Sequence, residues 1–192
     1  MDWGHVLRRL VHISSPLFLI YYWLPDPLWA GGPGRQIGLL VALLATLVFE
    51  AFRIAKQLNI IGMRPYESER MSAAAWAGIA LFIAFLFFPI EISAPALFGM
   101  AWIDPLCGEL RKRNSRLYPN LAKVAYFVLV TAVMITTVGL SIGVLVAAAL
   151  SAQVAISVEK TKTRFLDDDF TMLIIPLIVI AVVFLVFGIW NL

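Results

Sequence analysis

Long apolar runs alternate with short polar connections along the chain. The apolar segments lie at Val11 to Leu24, Gly38 to Phe52, Ala73 to Pro89, Ala94 to Cys107, Ala122 to Val138, Leu140 to Val158 and Phe170 to Trp190. A hydrocarbon core about 30 Å thick takes about 20 helical residues. The pattern therefore predicts an all-α, polytopic transmembrane bundle of about seven spans, in a single integral membrane domain covering 1–192. Several segments fall short of a full crossing, and the one ending at Cys107 would rise only about 22 Å. Pro95 and Pro105 lie in it. Proline breaks the helical ladder and is tolerated at membrane depth where neighbouring helices or a cavity satisfy the freed backbone, so a protein-lined pocket is expected there. Ala122 to Val138 and Leu140 to Val158 meet around Thr136, Thr137, Gly139 and Ser141, which predicts a tight helical hairpin.

Composition agrees with that pattern. With 61% hydrophobic and 14% charged residues, and a mean hydropathy of +0.90, the 192-residue chain cannot present an ordinary polar surface to water. The single cysteine, Cys107, excludes an intramolecular disulfide and reads as a buried, inert thiol. A formal charge of +3 could suggest an acidic partner, but the charges sit between apolar runs, and no nucleic-acid partner is expected.

The positions of those charges predict topology. Cytoplasmic loops hold Lys and Arg, and a cytoplasmic amino terminus makes the alternate connections agree. Arg8 and Arg9 precede the first span; Arg53, Lys56, Arg64 and Arg70 fill the second connection. Arg111, Lys112, Arg113, Arg116 and Lys123 fill the fourth, and Lys160, Lys162 and Arg164 the sixth. Of fifteen basic residues, Arg35 alone falls outside, and the carboxy terminus is expected on that outer side. A cleaved signal peptide is not expected, because the first segment runs into Tyr21, Tyr22 and Trp23 rather than a small-residue cleavage site. Trp3, Trp23, Trp29 and Trp190 are expected as interfacial anchors.

The carboxylates follow the same bias, which the positive-inside rule does not require. Glu50, Glu67, Glu69, Asp104, Glu109, Glu159 and Asp167 to Asp169 all fall on or just inside the inner boundary; Asp26 and Glu91 lie opposite. One face thus has both the cations that bind anions and the carboxylates that bind metal, as a metal–nucleotide complex requires. Asp167, Asp168 and Asp169 repel one another, which a magnesium ion would relieve; the rival role is capping of the last helix by Asp168 or Asp169, with its first residue near Phe170. Asp104 sits in an otherwise apolar stretch, as a metal ligand or as a salt-bridge partner of Arg111 or Lys112. Glu50 and Arg53 are spaced as a same-face pair. His12 is an interfacial anchor or lines a pocket.

Taken in order, these motifs resemble the polyprenol (dolichol) kinase, phytol kinase and CTP-dependent diacylglycerol kinase family, itself related more distantly to phosphatidate cytidylyltransferases. The resemblance covers almost the whole chain. Arg8-Arg9-Leu10-Val11-His12 looks like the family's amino-terminal element, and Glu50-Ala51-Phe52-Arg53 like its acidic-x-x-Arg ending to the second helix. Arg70-Met71-Ser72-Ala73 resembles the entry to the third helix. Ile103-Asp104-Pro105 stands where the family has Gly-Asp-Pro or Gly-Asp-Ala, and Leu166-Asp167-Asp168-Asp169-Phe170-Thr171 with Pro176 looks like its Asp-Asp-Asn-Leu-Thr and proline. The chain departs from the family where a Lys-x-x-Glu-Gly type element linked to CTP binding is expected: it reads Tyr118-Pro119-Asn120-Leu121-Ala122-Lys123, without Glu-Gly.

The resemblance implies a lipid-alcohol kinase, moving a phosphate from a nucleotide, CTP, to a polyprenol or other lipid alcohol; a multi-pass location in a prokaryotic cell membrane is expected separately. In that reading Asp104 and Asp168 are catalytic, and Asp104, Asp167, Asp168 and Asp169 hold Mg2+. Arg111, Lys112, Arg113, Lys123, Lys160, Lys162 and Arg164 bind nucleotide phosphates, while Arg8, Arg9, His12, Glu50, Arg53 and Arg70 bind substrate. A cytidylyltransferase acting on a lipid phosphate, and a non-catalytic relative binding a lipid phosphate or a partner protein, are the alternatives.

Overall fold

A computed structural model describes residues 3–63, 65–160 and 166–190. Every helix and strand assignment among them is helical. Seven α-helices follow in order: α1 (Trp3–Ser14), α2 (Arg35–Ala55), α3 (Ala73–Phe87), α4 (Ile90–Lys112), α5 (Asn120–Val138), α6 (Ile142–Lys160) and α7 (Asp168–Val186). Four of them, α2, α5, α6 and α7, are long and apolar enough to cross a membrane. The chain divides into two compact units, Met1–Phe87 and Phe88–Leu192.

In the first unit, the segment expected at Val11 to Leu24 is a composite. An α-helix starts earlier, at Trp3, and gives way at Ser15 to a 3-10 helix that ends at Trp23. Pro16 lies at that junction and supplies no backbone donor, which favours a change of helix type. Helix α1 is amphipathic: Trp3, Leu7, Leu10 and Val11 share one exposed face, and Arg8 and His12 lie half-buried on the other. Arg8 pairs with buried Glu67 at 3.7 Å. At the far end of the 3-10 helix, Tyr21 stacks on Phe85 near the end of α3, with ring centroids 5.3 Å apart. Arg35, at the start of α2, donates to the Tyr22 carbonyl at 3.2 Å and lies 3.8 Å from the Asp26 carboxylate. The charges of Arg35 and Asp26 thus offset each other.

The second unit is a closed ring of four helices, α4 on α5, α5 on α6, α6 on α7 and α7 on α4. Helix α4 corrects one expectation. It runs unbroken for 23 residues, through both Pro95 and Pro105, so it is about 34 Å long rather than a short, broken entry. The helix is buried chiefly between Ile92 and Ile103, around Pro95, where a kinked or weakened ladder is tolerated; Pro105 is half-buried. Small side chains allow close approach: a Cβ at Gly99 would lie 2.5 Å from the Tyr126 ring of α5. Between helices in lipid the gain comes from such packing rather than from excluding water.

The hairpin of α5 and α6 forms as expected. Gly139 turns the chain at φ 80°, a conformation that favours glycine, and the Ser141 hydroxyl accepts from the Val144 amide at 3.2 Å to cap α6. Helix α7 starts two residues before the expected Phe170. Asp167 is its N-cap, accepting from the Asp169 amide at 3.1 Å; the expected cap at Asp168 or Asp169 is therefore displaced by one position, because the earlier aspartate has the extended backbone that a cap needs.

Candidate functional site

One end of the four-helix ring gathers the polar groups. The last turns of α4 and α6, the connection into α5 and the first turn of α7 all meet there, because consecutive helices alternate in direction and the hairpin turn lies at the other end. Asp104 and Arg111 are seven residues apart on α4, two turns of the same face. Cys107 lies between them, free and fully buried, as expected of an inert thiol.

Glu159, near the end of α6, is the centre of this cluster. Its side chain is 0% exposed, yet it is an acid near the end of an apolar helix. It forms an ion pair with Arg111 and accepts a hydrogen bond from the Tyr118 hydroxyl at 2.7 Å. It is also near enough to Asp104 and Asp168 to feel both charges. Three helices thus each bring a carboxylate to the same end, with one guanidinium among them. Burial pushes the Tyr118 phenol well above its ordinary range, and the hydrogen bond to Glu159 and its charge add to that rise.

Asp167, Asp168 and Asp169 at the start of α7 place carboxylate oxygens within 4.8 Å of one another. Asp169 is buried; the other two are half-buried. Asp167 both caps α7, accepting from the Asp169 amide through Oδ1, and belongs to this carboxylate group. The donor set fits magnesium, which takes one or two protein carboxylates and completes its shell with water and phosphate oxygens.

The basic residues separate into different settings. Of the three at the end of α4, Arg111 alone joins the carboxylates, whereas Arg113 is 74% exposed and pairs with Glu109 at 2.7 Å. Lys112 is exposed, and Lys123 lies half-buried in the first turn of α5. Lys162 and Arg164 lie outside the described residues, and the side chain of Lys160 does too.

The first unit holds the other candidates. Arg53, 1% exposed, donates from Nε to Glu50 Oε2 at 3.0 Å and from Nη2 to Glu50 Oε1 at 2.7 Å. Its Nη2 and Nη1 also reach the Arg70 and Leu58 carbonyls at 2.7 and 3.4 Å. The Glu50 carboxylate also accepts from the Ser72 amide at the entry to α3. The expected same-face pair is therefore present as a buried clasp between the end of α2 and the start of α3. The side chains of Arg9 and Arg70 are exposed.

The sequence singles out Asp104, Asp168 and Arg111, but gives Glu159 only as one inner carboxylate and Tyr118 only as the start of the stretch that departs from the family pattern. The available signal was the register of α4, which puts Asp104 and Arg111 on one face. Nothing local marked Glu159 as their partner. No protein-family model, curated protein or solved structure matches the chain.

Proposed function

We propose that the protein is a membrane-embedded phosphotransferase, moving a nucleotide's terminal phosphate, CTP by family resemblance, to the hydroxyl of a polyprenol or other lipid alcohol. The observation that supports it is the gathering of Asp104, Glu159 and Asp168, from three helices, at one end of the ring, where Arg111 pairs with Glu159. Such a carboxylate-rich end with a guanidinium among its acids suits a metal-bound phosphate better than a bare anion, because the cation offsets the like charges.

In this reading the chain crosses the bilayer about seven times. The composite of α1 and the 3-10 helix forms the first span, α3 and α4 join the four long apolar helices, and the polar end of the ring faces the cytoplasm. Exposed apolar side chains such as Leu44, Val48, Val128, Val182 and Val186 then meet lipid tails. Asp104 and Asp168 hold Mg2+ with help from Asp167 and Asp169, the metal offsetting phosphate charge. Arg111 meets a phosphate oxygen, and an acidic side chain accepts the alcohol proton. The acceptor's tail lies between helices, in a prokaryotic cell membrane.

Replacing Asp104 or Asp168 by Asn keeps shape and removes charge. Each variant is expected to insert normally and to lose at least about a hundredfold in transfer rate, the range of a lost catalytic group. Full activity in both variants would end the reading of these carboxylates as metal ligands.

A further inference from the structure

The ion pair at the end of α6 has an asymmetry that the proposed reaction does not itself require. Glu159 has no exposure at all, while Arg111 is 39% exposed. Both carboxylate oxygens are engaged, one by Arg111 and the other by the Tyr118 hydroxyl at 2.7 Å. The carboxylate is therefore approached from two sides, by a cation at one oxygen and a hydroxyl donor at the other. A guanidinium has five N–H donors in a rigid fork. One of its terminal nitrogens, Nη2, faces Glu159, and the side chain as a whole is 39% exposed, which leaves donors for a ligand.

We propose that Glu159, locked by Tyr118, is a positioning residue that orients Arg111 so that its open edge receives a phosphate oxygen. This rests on the phosphotransfer reading of the same site. A lysine at 111 would keep the charge but not the two-edged geometry, so the arrangement accounts for arginine at this position. Glu159 touches neither phosphate nor lipid; it acts through Arg111.

The test is a double-mutant cycle in the full-length protein reconstituted in lipid nanodiscs, reading the dissociation constant of magnesium–CTP and, in parallel, the melting temperature. Glu159→Gln is expected to weaken binding about tenfold, and Arg111→Lys by a similar factor. The double variant should bind no more weakly than Arg111→Lys alone, because a positioning residue has nothing left to position. Tyr118→Phe, which removes one hydroxyl, should weaken binding roughly threefold and guards against a Glu159→Gln variant that does not fold. Wild-type affinity in Tyr118→Phe, or in a folded Glu159→Gln, would overturn the positioning role and leave the phosphotransfer reading standing. Fully multiplicative losses in the double variant would do the same, since Glu159 would then act independently of Arg111. A wild-type protein that binds neither magnesium–CTP nor magnesium–ATP would overturn the phosphotransfer reading, and this inference with it.

Discussion

The two units each bury a glutamate paired with an arginine, and the pairs differ in one respect. In Met1–Phe87, Glu50 and Arg53 are both almost completely buried, and Arg53 is held by two carboxylate oxygens and two backbone carbonyls. In Phe88–Leu192, Glu159 is as deeply buried, but Arg111 keeps more than a third of its side chain open. A closed pair exchanges solvation for hydrogen bonds within the protein, and its value lies in joining helices. A half-open pair joins helices too, but leaves a cation oriented toward whatever approaches. Residue type and burial of the acid are the same in both; the exposure of the arginine separates a clasp from a candidate binding group.

That contrast can be broken by substitution. The largest expected effect is at the closed pair: Arg53→Met leaves Glu50 buried without its cation and should destabilise the protein by about 3–5 kcal/mol, measured by detergent-induced unfolding. Pairing it with Glu50→Gln should recover part of that loss. If Arg53→Met unfolds like wild type, the clasp is not structural. A smaller effect is expected at Tyr118→Phe, where one hydrogen bond to a charged partner is worth roughly 1.5–3 kcal/mol. The pH dependence sharpens this. Because the folded protein holds the Tyr118 proton more tightly than the unfolded chain, its contribution is intact below about pH 10 and is lost as pH rises beyond that. The wild type should therefore lose stability on the alkaline side more steeply than Tyr118→Phe, and equal slopes would place the phenol in water. The smallest effect belongs to Arg113→Ala, whose exposed pair with Glu109 should contribute less than about 1 kcal/mol; a larger loss there would mean that exposure does not separate the pairs.

Periodicity and length made most of the helices legible. The segments at Ala73, Ala122 and Leu140 predict α3, α5 and α6 to within a few residues, and the glycine and serine of the hairpin do what turn and cap chemistry requires. Helix α4 outruns its apolar segment at both ends, because it takes in Glu91 and the charged stretch from Glu109 to Lys112, and it continues through buried Pro95 and half-buried Pro105. Helix α1 begins at Trp3, ahead of the apolar run at Val11, because Arg8 and Arg9 interrupt its apolar residues in sequence but not on the helix face. Of the candidate site, Asp104 and Arg111 were visible as a charged face on one helix. Glu159 and Tyr118 were not, since their partnership is made across 41 residues and the α5–α6 hairpin, and no local pattern carries it.

The account turns on phosphate transfer at the carboxylate-rich end of the four-helix ring. The most direct measurement incubates purified protein with magnesium, γ-labelled CTP or ATP, and a panel of polyprenols, phytol-like alcohols and diacylglycerol, followed by lipid extraction. Label in the lipid fraction, lost in Asp104→Asn and Asp168→Asn, is the expected result. An unlabelled lipid fraction from folded protein, with neither nucleotide bound, would contradict it and leave a non-catalytic binding protein as the better reading.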